Sequence, residues 1–173
     1  MKLEGLAGRR RLYGTTSPEL FFDLKTIFQM MESLGSSRIE GNRTTIADLV
    51  DARIEESGGK DEKLTEIANI ERATEFIEKN LQPGDEITHA HIREAHKIVV
   101  NGLKLPPAGE GDKTPGQYRS EDVRIAGAEH VPPQYADVLG YIDELLAFVN
   151  EGTGDQYRFL RTAVAHHRFT WIH

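Results

Sequence analysis

The sequence contains no cysteine, which excludes a disulfide framework, a thiolate metal site and a cysteine nucleophile. That absence fits a reducing compartment, and the cytoplasm is the expected location. No window approaches the ~20 consecutive apolar residues of a membrane span. The basic N-terminal stretch with Arg9, Arg10 and Arg11 leads into no apolar signal segment and reads as a solvated arm. Positive charge is in deficit, 21 Lys and Arg against 28 Asp and Glu, for a net charge of −7. Phosphate neutralisation supplies most non-specific nucleic-acid affinity, so neither nucleic acid nor membrane is an expected partner. There is no internal repeat and no low-complexity tract. What remains is 173 residues, 38% hydrophobic and 28% charged, enough for one domain with a proper core.

Helical periodicity dominates. Ser17-Pro18-Glu19 supplies an N-cap, a proline at the first helical position and an acid in the first turn. Phe21, Leu24, Phe28, Met31 and Leu34 follow as an apolar stripe. Thr45 with Asp48 forms a capping-box-like start for a helix bearing Ile46, Leu49, Val50 and Ile54. Ser57-Gly58-Gly59-Lys60 reads as an internal linker. A third helix carries Leu64, Ile67, Ile70, Ala73 and Ile77 and stops at Gln82-Pro83-Gly84. Thr88 caps a fourth, with Ile87 stapling onto Ile92, and its apolar face is Ile92, Ala95, His96, Val99 and Leu103. From Pro106 to Pro133 the helical period disappears. Val123-Arg124-Ile125 alternates as a strand does, so a β-hairpin or ordered loop is expected over 117–131. Pro132-Pro133 opens a fifth helix with Val138, Tyr141, Ile142, Leu145 and Val149. A last helix from about Asp155 presents Tyr157, Leu160, Val164, His167 and Trp171 on one face. It carries no stop signal, so the chain reads as cut at Trp171-Ile172-His173.

Three places offer chemistry. His166, His167 and His173 share one expected helix, and positions seven apart share a face. Neutral imidazole is the usual general base near neutral pH. The plainer reading makes His166 and His167 partly buried, hydrogen-bonded structural residues. No acid follows Asp155 in that helix, so these histidines alone make no metal site. His89 and His91 read as a solvated helix terminus. Ser36 and Glu40, four apart, point together on a helix, and a glutamate at a helix end suits an arginine partner. The loop from Gly116 to Ile125 can bind an extended peptide at a strand edge or be an ordinary surface hairpin.

Together these segments resemble the Fic (filamentation-induced-by-cAMP) family. Ser36-Ser37-Arg38-Ile39-Glu40-Gly41-Asn42 resembles its inhibitory-helix motif, [S/T]-x-x-x-E-[G/N]. Gly116-Gln117-Tyr118-Arg119 through Val123-Arg124-Ile125 resembles the flap over its active site. His130-Val131-Pro132-Pro133 resembles the lead into the next core helix. Ala165-His166-His167-Arg168-Phe169-Thr170-Trp171-Ile172-His173 resembles the run into H-P-F-x-[D/E]-G-N-G-R-x-x-R, of which only the first residue, His173, is present. The resemblance implies a mainly α fold, a Fic-like helical bundle with one short β-hairpin flap. Residues 1–58 would be an N-terminal region with the inhibitory helix, and 60–173 a Fic-like core incomplete at its C-terminus.

It also implies an autoinhibited protein adenylyltransferase that moves AMP from Mg-ATP to a Tyr, Thr or Ser hydroxyl of a target protein. His173 would be the general base. Ser36, Glu40 and Gly41 would form the inhibitory element, with Glu40 pairing the second motif arginine. Tyr118, Val123, Arg124 and Ile125 would form the flap that holds the target. ATP and Mg²⁺ are expected for an intact parent and none for this fragment, in which catalysis is not expected. No metal ligand is assigned within the chain. Removal of a central helix would expose apolar surface and favour a homo-oligomer. The alternative, from another class, is a non-catalytic helical protein-binding or regulatory module presenting residues 117–131. A metallohydrolase built on the histidines stands third.

Overall fold

Helix boundaries follow the capping signals closely. The computed structural model describes residues 18–39, 41–54, 61–124, 129–151 and 157–172. Among these residues are six helices and no strand: α1 (Pro18–Ile39), α2 (Ile46–Ile54), α3 (Glu62–Asn80), α4 (His89–Val99), α5 (Tyr135–Asn150) and α6 (Arg158–Ile172). The fold is mainly α, as the periodicity predicts. The expected linker at 57–60 lies outside the described residues.

At α2 the Thr45 hydroxyl and amide donate to Asp48 at 2.7 and 2.8 Å, and the Asp48 amide returns to the Thr45 hydroxyl at 3.2 Å. That is a reciprocal capping box with aspartate in the glutamate's place. At α4 the Thr88 amide donates to His91 Nδ1 at 3.1 Å while the His91 amide reaches the Thr88 hydroxyl at 3.4 Å. His91 is therefore part of a cap. Asp61 caps α3 by accepting from the Lys63 amide at 3.0 Å.

The described residues fall into two compact units, 18–83 with 93–116, and 84–92 with 117–172, so that α4 begins in one and ends in the other. In the first, Leu34, Leu49 and Ile67 form the core, with Met30 and Leu64 packed against it. Leu24, Phe28 and Met31, expected on the buried stripe of α1, are instead exposed. Among the described side chains of α1, Leu34 and Met30 carry the core contact. Fully buried Asn69 bridges α3 to the end of α4, donating to Val99 O at 2.7 Å and Asn101 O at 2.8 Å. It thereby satisfies carbonyls that a helix end leaves free.

In the second unit Val138, Ile142, Leu145 and Leu146 of α5 bury against Ile172 of α6, flanked by Ile87, Ile92, Tyr118, Tyr141, Val149 and Ala165. The face of α6 differs from expectation. Tyr157, Leu160, Val164, His167 and Trp171 are exposed, and the packed positions are Arg161, Ala165, Arg168 and Ile172. The two guanidinium groups lie over the Phe148 ring, 4.4 and 5.5 Å from its centroid. Arginine covers apolar surface with its stem and stacks on aromatic faces, which an apolar periodicity count does not register. Arg161 also donates to Phe148 O, and to Glu151 O at 3.0 Å, closing the C-terminal end of α5.

The hairpin expected over 117–131 is not seen among the described residues, and 125–128 lie outside them. Residues 117–124 form no ladder, and their side chains take the contacts instead.

Candidate functional site

The end of α6 and the segment 117–135 belong to one unit, and side chains join them. A helix leaves its last carbonyls without intrahelical donors. Here His130 Nε2 lies 3.0 Å from Trp171 O, and Arg119 Nη2 lies 3.4 Å from Ile172 O. The same Arg119 nitrogen donates to Pro133 O. Its Nε and Nη1 are buried, with no acceptor among the described residues. The Trp171 ring meets Tyr141 edge-on at 5.2 Å and lies 6.2 Å from His130. Nearby, Asp122 accepts from the Tyr135 amide at 2.8 Å, placing a carboxylate at the positive N-terminal end of α5.

Tyr118 faces a second group. Its hydroxyl is 2.8 Å from His89 Nδ1, and His89 Nε2 is 2.7 Å from Asp143 Oδ1. With a proton on Nε2, the imidazole donates to the carboxylate and accepts from the phenol. This chain ties the start of the 117–124 segment to the first turn of α4 and to α5. His89 is thus not the solvated terminus expected from sequence. No local signal marks it, because its partners lie 29 and 54 residues away.

Val123 and Arg124 are exposed, and Ile125 lies outside the described residues. His166 and His167 are exposed rather than partly buried, since the packed face of α6 is the arginine face. His173 and Glu40 lie outside the described residues. Among the described residues no group of three His, Asp or Glu comes together to hold a metal ion.

In the other unit, α1 ends just after Ser36 and Ser37. The Asn42 amide donates to Ser37 O at 3.0 Å and the Gly41 amide to Arg38 O at 3.1 Å, with Gly41 at φ +94°. This is a Schellman closure, in which the residue past the helix takes the left-handed conformation. Glycine and asparagine adopt it at least cost. Ser36 is exposed, whereas Ser37 is buried and donates to Leu34 O at 3.2 Å. Asn42, 5% exposed, donates to Lys63 O at 3.0 Å and Glu66 Oε2 at 3.1 Å. It accepts from the Thr44 amide at 3.0 Å and hydroxyl at 2.7 Å. Asn42 therefore fastens the end of α1 to α3, a role no spacing argument isolated. Arg38, Gly41, Asn42 and Arg43 line an open pocket of about 510 Å³ here.

No helix among the described residues is long and apolar enough to cross a membrane. Proteins named Protein adenylyltransferase Fic from Drosophila ananassae, Drosophila willistoni and Drosophila virilis are 27% identical to this chain over 139 residues. The aligned region covers 78% of this chain and 26–27% of each of theirs, so the chain spans about a quarter of the length of these curated relatives. The profile of the Fic/DOC family matches residues 86–173, half of the chain. That match takes in α4, the 117–135 segment, α5, α6 and His173, and with it the chain belongs to the Fic/DOC family.

Proposed function

We propose that this chain is part of an autoinhibited, cytoplasmic protein adenylyltransferase. The observation that carries the reading is the family match over 86–173; the resemblance takes the last residue of that span, His173, as the first residue of the family's motif. The adenylyltransferase activity for which the Drosophila relatives are named points the same way. In this reading Mg-bound ATP is the substrate. His173 takes the proton from a Tyr, Thr or Ser hydroxyl of the target protein, whose oxygen bonds to the α-phosphorus. The bond from that phosphorus to the bridging oxygen breaks, and pyrophosphate leaves. Such transfers depend on positioning and charge stabilisation. The resemblance places the Mg²⁺-holding carboxylate after His173, so no metal ligand is assigned to the described residues.

Glu40 supplies the autoinhibition in this reading, assisted by Ser36 and Gly41. Support comes from the closure of α1, whose two backbone bonds bracket position 40 and whose Gly41 takes the left-handed conformation. A glutamate carboxylate makes a specific partner for an arginine fork. Val123, Arg124 and Ile125 hold the target segment, with Tyr118 anchoring the base of that flap through His89.

The test uses the full-length gene product. Glu40→Gly is expected to self-label from α-labelled ATP far more than wild type. Equal labelling rejects the inhibitory role of Glu40. No labelling by either protein, with no stabilisation by nucleotide, favours a non-catalytic helical binding module instead.

A further inference from the structure

Two side chains from one loop occupy consecutive carbonyls at the end of α6. His130 Nε2 approaches Trp171 O at 3.0 Å and Arg119 Nη2 approaches Ile172 O at 3.4 Å. The Arg119 contact to Pro133 O ties the loop's exit to the same point. Ile172 is 5% exposed within the core, and Trp171 rests edge-on against Tyr141. Core burial already secures the helix; donors on its last carbonyls hold the backbone of its final turn. The next residue is position 173.

We propose that His130 and Arg119 are positioning residues for His173, holding the final turn of α6 so that the histidine enters the reaction at one orientation. This inference rests on His173 as general base. Both donors also suit their place electrostatically, since cationic and N–H groups are favoured at the negative end of a helix. Both the neutral Nε2–H tautomer of His130 and its imidazolium can make this contact, and a glutamine amide can replace it.

In the full-length protein released by Glu40→Gly, His130→Ala is expected to lower kcat about 10–100-fold, the scale of a misplacement near 1 Å. The KM for ATP should stay within about twofold, because binding is not what is lost. His130→Gln should recover most of the rate. Arg119→Ala should lose rate likewise and regain part of it when guanidinium is added, which a folding defect would not do. An unchanged kcat in His130→Ala, or equal losses in His130→Gln and His130→Ala, overturns the proposal. If neither wild type nor Glu40→Gly transfers AMP, the adenylyltransferase reading has failed separately. The clamp is then judged by amide exchange in the 173-residue chain, where His130→Ala should speed exchange at 168–172 and leave α3 unchanged. Unaltered exchange at 168–172 overturns it.

Discussion

Helix α1 ends on its own backbone, whereas α6 ends on side chains delivered from 41 and 53 residues away. At α1, Gly41 and Asn42 turn back onto Arg38 O and Ser37 O, and everything needed lies within six residues. At α6, Trp171 O and Ile172 O are met by His130 and Arg119, 41 and 53 residues earlier in the chain. A local closure can form as soon as the helix does. A closure by remote side chains exists only once the loop and helix have packed, so it reports tertiary order.

The sharpest way to break the local closure is through Asn42, which joins it to α3. Asn42→Ala removes two donated and two accepted bonds, leaving Lys63 O and buried Glu66 Oε2 without that donor. Unpaired buried polar groups are costly, and a loss of about 3 kcal/mol in urea unfolding is expected. A loss below about 1 kcal/mol would mean that water replaces the amide, the lower end of such measurements. Gly41 comes next. Nothing lies within 4 Å of a Cβ built there, so the cost is purely conformational. Gly41→Ala should destabilise by about 1–2 kcal/mol. Gly41→Asn should cost visibly less, because its side chain tolerates the left-handed conformation. Equal costs would mean that the left-handed turn is not what the position demands.

These two ends also show what the sequence discloses. Thr45 with Asp48 and Thr88 before α4 were legible because capping chemistry is written within a turn of the residue it serves. The core of α5 was legible through its period. The packed face of α6 was not, since Arg161 and Arg168 do apolar work over Phe148 while carrying charge. The Asp143–His89–Tyr118 chain and the His130–Arg119 clamp were invisible for a different reason. Their members become neighbours only in the folded unit. The hairpin expectation came from alternation at 123–125, a pattern that a loop held by side chains also permits.

Tyr118 offers a milder test on the remote side. Tyr118→Phe keeps the ring in the core and deletes the hydroxyl that meets His89. A loss of about 1 kcal/mol is expected, with the target KM unchanged if this residue anchors the flap rather than touching the target. A raised target KM at unchanged stability would assign it to the target surface.

The smallest effect belongs to the most local device, the Thr45–Asp48 box. The Thr45 hydroxyl, and then its amide, hold the Asp48 carboxyl below its ordinary value of 3.8. A carboxyl whose pKa is lower in the folded than in the unfolded state contributes stability above the ordinary value. That contribution fades as pH falls through the lowered one, because the unfolded chain binds the proton first. Thr45→Ala removes both the hydroxyl donor to the carboxylate and the hydroxyl acceptor for the Asp48 amide. At neutral pH the melting temperature should drop roughly 1–2 °C, as for about 0.5 kcal/mol at the low end of cap losses. Below the lowered pKa of Asp48 the difference between wild type and Thr45→Ala should shrink, since the protonated carboxyl no longer needs the donor. A gap that stays constant across that acid range would show that the cap works through the helix amide alone. The carboxylate would then be a bystander, and the local end would rest on backbone geometry as fully as Gly41 does.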